Sequence, residues 1–381
     1  MTALLDTVDP DGLSEFSVVF TDRSLNSMSA AFCEVMRDIS SMLREVYNAD
    51  AVAIVPGGGT FAMEAVARQF AEGRKALVVR NGWFSYRWSQ IFEAGGLPSE
   101  ATVMKARRAG NAPRTPFAPA PIDEVVARIR AEKPDVVFAP HVETSAGVIL
   151  PDSYVTALAD AAHEVGALMV LDGIASGCVW VDMKATGVDV LILAPQKGWS
   201  ASPCAGLVMM SERAEAKLAE TTSSSFAIDL KKWRNIMKVY EGGKHAYHAT
   251  MPTDALRVFR DTMQETRDYG FDRLKDAQWD LGNAVRAHLA AKGVMSVAAD
   301  GFGAPGVVVS YTEDPLIQNG SKFAALGMQI AAGVPLQCDE PDDFRTFRLG
   351  LFGLDKLYDV QGTVGRLTSV LDRVLDGDGE S

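Results

Sequence analysis

Two residues able to do acid, base or nucleophilic chemistry stand at the ends of apolar runs. Lys197 follows Val190, Leu191, Ile192, Leu193 and Ala194 in "VLILAPQKG" and precedes Gly198, Ser200, Ala201, Ser202, Ala205 and Gly206. An amine stripped of hydration has a lowered pKa and becomes a usable nucleophile or base. The competing reading is a strand-end lysine whose stem is apolar and whose tip reaches water. Asp172 ends "ALMVLD". A carboxylate after such a run needs a cation or hydrogen-bond donors; capping a helix or closing a packing salt bridge would also satisfy it. A third feature is "PGGGT", Pro56 to Thr60, between the apolar "AVAIV" and the helical "FAMEAVARQFA". Bare amides on a glycine turn, backed by a helix dipole, form a seat for a phosphate-like anion. The turn lacks the GxGxxG spacing of dinucleotide sites and the GK[ST] ending of a P-loop. "PHVETSAG" adds His141, Glu143, Thr144 and Ser145 at another strand end.

The elements that must position these residues alternate. "DAVAIV", "KALVV", "PDVVFAP", "ALMVLD", "DVLILAP" and "GLVMMS" are short apolar runs separated by helical patterns such as "IDEVVARIRAEK" and "SYVTALADAAHEVG". Near-continuous apolar strands interleaved with helices predict a mostly parallel sheet covered on both faces. Ligands then bind beyond the carboxyl ends of the strands, where Lys197, Asp172 and the glycine turn all fall. Ahead of the first strand, Phe32, Met36, Ile39, Leu43 and Val46 lie on one helical face. After about residue 255 a long helical stretch leads to "VMSVAA", "GVVVSYT" and "FRTFRLGLFG". We expect a large domain over residues 15–255 and a smaller C-terminal α/β domain over 256–376.

Composition narrows the classes. The 381 residues suffice for two domains with a large core. A net charge of -12, spread along the chain, argues against nucleic acid and anionic membrane surfaces. No apolar run of membrane-spanning length occurs, and the N-terminal stretch lacks the basic and apolar regions of a secretory signal. Cys33, Cys178, Cys204 and Cys338 show no CxxC or metal-ligand spacing and suit a reducing cytoplasm.

A phosphate seat, a buried acid and a buried lysine at one sheet edge fit a pyridoxal 5′-phosphate site: the lysine bonds the aldehyde and the acid keeps the pyridine nitrogen protonated. Here the sequence resembles the class V aminotransferases of pyridoxal-phosphate fold type I, close to the alanine–glyoxylate and serine–pyruvate group. The likeness runs from about residue 27 to residue 355 through seven segments in order: "PGGGTFAMEA", "RNGWFSYRWSQIFEAGG", "HVETSAGVILP", "LDGIASG", "APQKG", "AYHATMP" and "FRLGLFG". One departure stands out. The family's N-terminal G-P-G-P-x-x stretch, which lines the substrate pocket, is missing or replaced by "VVFTDRSLN".

The resemblance implies roles. Gly58, Gly59 and Thr60 hold the phosphate, with Ser176 and Gln196 contacting it. Phe84, or its neighbour Trp83, stacks on the pyridine ring and Ile174 presses the other face. Thr144, or Ser145, bonds the phenolic oxygen. Tyr247 and Thr250 reach the phosphate of a neighbouring subunit, implying a homodimer with shared sites. Arg348 grips the substrate α-carboxylate, for which a planar fork is suited. His141 and His248 are packing or supporting residues. The implied reaction moves an amino group from a small amino acid, such as alanine or serine, to a 2-oxo acid such as glyoxylate or pyruvate. The alternative is a lyase of the same fold, a cysteine desulfurase-like enzyme. That reading would use Cys338, before Arg348, as nucleophile. Asp339 and Glu340 beside it oppose a low thiol pKa, and Gln196 stands where the lyases usually carry histidine.

Overall fold

The computed structural model describes residues 4–112 and 114–376. The six apolar runs, with "EATVMK", which the sequence pattern does not single out, form seven strands: β1 (Ala51–Pro56), β2 (Lys75–Arg80), β3 (Glu100–Lys105), β4 (Val136–Pro140), β5 (Leu168–Asp172), β6 (Val190–Leu193) and β7 (Ala205–Met210). They build one sheet in the order β1-β7-β6-β5-β4-β2-β3. β7 runs antiparallel to both of its neighbours, and the others share one direction. The mainly parallel sheet is thus as the sequence pattern predicts. Every residue of β4, β5, β6 and β7 is buried, because helices cover both faces.

Helix α1 (Ala30–Tyr47) buries Phe32, Met36, Ile39 and Leu43 of the predicted stripe, and Val46 is partly buried. Ser29 starts it by accepting the Phe32 amide, and Asn48 ends it in the left-handed region. α2 (Gly59–Phe70) and α3 (Trp83–Gly95) each open straight off a strand end, β1 and β2 respectively. α4 (Ile122–Glu132) and α5 (Asp152–Glu164) pack together, the latter also against β5. α6 (Leu230–Glu241) covers β1, and α7 (Thr253–Tyr269) packs on α1.

Beyond α8 (Phe271–Ala291) lies a smaller antiparallel sheet of β8 (Val307–Tyr311), β9 (Ala331–Ala332) and β10 (Thr346–Gly350), ordered β8-β10-β9. Its own core gathers Phe347 and Leu349 with Leu281, Val285 and Leu289 of α8 and Leu367 and Leu371 of α9 (Val360–Asp376). Side chains alternate along a strand, so Arg348 points away from that core. The "VMSVAA" segment makes only isolated bridges, Ser296 to Ser310 and Ala298 to Phe117, rather than a strand. Val297 and Ala298 join an apolar cluster with Phe117, Val307, Val309 and Tyr311, while Met295 is exposed.

Candidate active site

The carboxyl ends of the strands enclose a cavity of about 190 Å³. Gly59, Thr60, Phe84, Thr144, Asp172, Ile174, Gln196 and Lys197 line it, together with Met63, Arg87, Val142 and Ala175. Eight residues singled out from the sequence therefore meet around one space.

Each arrives by a short route. β1 ends at Pro56, and Gly57 turns the chain with φ +120°, a conformation L side chains rarely adopt; a Cβ there would also meet the Phe61 ring at 2.7 Å. Gly58 precedes the helix with no side-chain cap, so the first amides of α2 are left for an outside acceptor. β5 delivers Asp172 and β6 delivers Lys197 after the turn at Pro195. Phe84 lies in the first turn of α3, while Trp83 packs against Tyr86. Of the two aromatics left open by the sequence, Phe84 faces the cavity. Thr144 faces it too, whereas the Ser145 hydroxyl is bonded to Glu143.

The electrostatics centre on Asp172. Its side chain is buried and accepts one hydrogen bond, from the Ile174 amide at 3.0 Å. No ion pair reaches it among the described residues. Desolvation pushes its carboxyl up to about 7, assisted by the nearby Glu143 charge. Lys197 is half-buried, and its amine is held below the ordinary lysine range first by desolvation and then by the Arg348 charge, with Asp172 acting the other way. The Lys197 Nζ also lies 5.2 Å from the Phe352 ring centroid. Arg348 donates from Nε to the Ala332 carbonyl at 2.7 Å, and its guanidinium stands 5.6 Å from the centre of the Phe84 ring. Burial lowers its pKa as well.

Other expected residues sit further out. Ser176 is buried and its hydroxyl meets His141 Nδ1 at 2.6 Å, so it is turned toward the histidine rather than lining the cavity. Desolvation takes His141 down to about 4, which keeps it neutral and fits a packing role. Tyr247 and Thr250 bond one another at 3.3 Å on the surface, with Tyr247 62% exposed. Neither contributes to the cavity of its own chain.

No role is assigned to Arg87 from the sequence. It lies one helical turn after Phe84, donates to Thr60 Oγ1 at 3.1 Å and places its guanidinium 5.3 Å from the Phe84 ring centre. The i, i+3 spacing from Phe84 is the signal that would have found it. Phe352 and Glu143 carry no comparable spacing signal.

The family model for class-V aminotransferases matches residues 14–301. The chain belongs to that family. Its members work with pyridoxal 5′-phosphate, and this aminotransferase shares their fold. The "Soluble hydrogenase, small subunit" of Synechococcus sp. is 26% identical over 347 residues, 90% of this chain and 86% of that protein. Alanine–glyoxylate aminotransferase 1 of Saccharomyces cerevisiae is 25% identical, covering 68% of this chain and 67% of its own. The crystal structure of a Nostoc alanine–glyoxylate aminotransferase superposes with a TM-score of 0.76 at 22% identity, over 92% of this chain and 88% of that one. The lyase alternative is not favoured: Cys338 is 4% exposed, and desolvation with Glu143 and Glu340 pushes its thiol up to about 12.

Proposed function

We propose that this aminotransferase holds pyridoxal 5′-phosphate in the cavity between Lys197 and Asp172. In this reading it carries an amino group from a small amino acid, of the alanine or serine type, to a 2-oxo acid such as glyoxylate or pyruvate. The observation that carries the reading is Asp172, a buried carboxylate with one amide donor and no ion-pair partner among the described residues. A protonated pyridine nitrogen is the partner that such a group lacks.

The residues present suit the cofactor. Gly58, Gly59 and Thr60 would hold its phosphate with the helix dipole of α2 behind them, and Gln196 would add a side-chain contact. Ser176, bonded to His141, would act from behind the wall. Phe84 and Ile174 would clamp the ring, and Thr144 would bond its phenolic oxygen. When bound, the cofactor supplies an electron sink for the charge left at the substrate α-carbon. Asp172 would hold the ring nitrogen's proton. Arg348 would fix the α-carboxylate by a two-point contact, which orients the α-hydrogen. Lys197, its pKa lowered by burial, would take that proton at Nζ and deliver it to the cofactor carbon in the same half-reaction.

The same proposal extends to assembly. The chain would act as a homodimer in the cytoplasm, with Tyr247 and Thr250 of each copy completing the partner's phosphate site. Their surface position and distance from their own cavity support that arrangement. We also propose the division into a large domain, 15–255, and a small one, 256–376, since each sheet has its own core. No helix among the described residues is long and apolar enough to cross a membrane.

The test is a half-reaction screen. The cofactor-loaded protein is mixed with single amino acids, and loss of the visible absorbance is followed. Rapid loss with alanine, serine or glycine is expected. Loss only with aspartate or glutamate would overturn the small-donor assignment, and no loss with any amino acid would overturn transamination.

A further inference from the structure

We propose that Glu143 is the positioning residue of the ring-stacking segment, fixing Phe84 against the cofactor from beneath the cavity wall. The inference rests on the cofactor reading above. Glu143 is fully buried, with 0% exposure, and no ion pair reaches it among the described residues. A carboxylate placed so deeply is costly unless its lone pairs are used. Five donors use them. The Ser85 amide and hydroxyl reach Oε2 at 2.8 and 2.7 Å, and the Phe84 amide reaches Oε1 at 3.2 Å. The Ser145 amide and hydroxyl reach Oε1 at 3.1 and 2.7 Å.

Three of those donors belong to the first turn of α3, where amides have no acceptor within the helix. Ser145 Oγ accepts a fourth contact from that turn, the Trp83 amide at 2.9 Å. Gly82, just before the helix, has no side chain to cap it, and none would fit. A Cβ there would lie 2.1 Å from Ser145 Oγ and 2.8 Å from Glu143 Cδ. The helix is therefore capped from another element, by an anion placed at the positive end of its dipole. One carboxylate ties the start of α3, which carries Phe84 and Arg87, to the turn that carries Thr144. Both of those segments line the cavity. Glutamine in the same place would set an NH₂ group against N–H donors and could not accept all of them. The Phe84 ring would then lose its fixed register.

The prediction is a coupling between Glu143 and Phe84, read on cofactor binding rather than on turnover. Glu143→Gln apoprotein titrated with pyridoxal 5′-phosphate should bind about tenfold more weakly than wild type, the scale of losing charge-assisted hydrogen bonds. The visible circular dichroism of the bound cofactor should shrink, since its asymmetry comes from the stacked ring. Phe84→Leu should show similar losses, and the double variant should be no weaker than Phe84→Leu alone. A merely structural Glu143 would give additive losses, or a fall in melting temperature with wild-type affinity and dichroism; either result overturns the proposal. If Glu143→Gln does not fold, Ser145→Ala carries the test, with a loss of roughly two- to threefold that vanishes in the Phe84→Leu background. Failure of the wild-type apoprotein to bind the cofactor would instead overturn the reading of the site itself.

Discussion

Two buried aspartates lie at opposite ends of the same pair of strands. Asp189 precedes β6 and is 2% exposed; Asp172 closes β5 and is 7% exposed. Asp189 is fully served from within the chain. It accepts from the Met169 amide at 2.9 Å, the Ser211 hydroxyl at 2.9 Å and His163 Nε2 at 2.8 Å, and Arg213 stands 3.9 Å away. Asp172 accepts from one amide. Buried carboxylates are expensive unless paired, so the first is a self-sufficient tie between β5, β6 and α5. The second is an incomplete one. The difference teaches where to look for function: the group that the fold leaves unsatisfied is the one that awaits something from outside.

The sharpest attempt to break that contrast starts with Lys197, which shares the cavity with Asp172. Lys197→Ala should bind the cofactor without a covalent link and lose turnover by at least about 10³-fold, the combined scale of a missing base and nucleophile. Borohydride reduction of wild type followed by peptide mapping should place the pyridoxyl label on Lys197. A label on Lys184 or Lys244 would sink the assignment. Next comes the pair itself. Asp172→Asn should fold and keep cofactor yet lose activity by about 10²–10³-fold, as when a preorganised charge is removed from a dry site. Asp189→Asn should behave the opposite way, losing ~1–3 kcal/mol of stability while each folded molecule keeps its activity. If both variants fail in the same way, the two aspartates do not differ in kind.

The sequence made the catalytic edge legible because its signals are local. An apolar run followed by a lysine, an aspartate or a glycine turn names a strand end, and parallel strands bring their ends together. Gly59, Thr60, Thr144, Asp172 and Lys197, read in that way, line one cavity, and Phe84, Ile174 and Gln196, implied by the family resemblance, line it with them. What it did not show depends on partners distant in the chain. Asp172 and Asp189 look alike in "ALMVLD" and "GVDVLILAP"; only His163, Ser211 and Arg213, brought in by folding, tell them apart. Glu143 was visible as a residue without a role, since its donors come from Phe84 and Ser85 far earlier in the chain. "VMSVAA" reads as a strand by composition but finds no continuous ladder partner. Ser176 is next to the cofactor wall in sequence terms, and its hydroxyl is spoken for by His141.

Acid–base linkage sharpens the comparison at smaller energies. The Asp172 carboxyl is raised to about 7 in the folded chain, whereas an unfolded aspartate titrates near 3.8. The folded apoprotein therefore holds a proton that the unfolded chain has lost. The stability from this group is complete below the unfolded value and declines as pH rises toward 7, by on the order of a few kcal/mol. His141 works in the reverse direction: lowered to about 4 by burial, it adds stability that is lost as pH falls from its ordinary range. The difference between wild type and Asp172→Asn isolates the first effect. In denaturant melts of apoprotein, Asp172→Asn should gain on wild type as pH rises from 4 to 8, and bound cofactor should abolish the gain. A flat difference would mean that Asp172 is satisfied like Asp189.

The smallest expected effect concerns Cys338. Its thiol is buried, donates to the Arg80 carbonyl at 3.4 Å and is pushed up to about 12, so almost none of it is thiolate near neutral pH. A desulfurase nucleophile needs an accessible, low-pKa sulfur. Here Glu143 and Glu340 add their charges against ionisation, and the residue is 4% exposed within an apolar cluster. Cys338→Ser keeps a small hydrogen-bonding group in the same place. It should change transamination by less than about twofold and stability by at most ~1 kcal/mol, the scale of an altered buried hydrogen bond. Wild type supplied with cysteine should release no sulfide above the rate of the free cofactor. Sulfide release that disappears in Cys338→Ser would move the chemistry from the strand ends to the loop before β10, and the lyase reading would return.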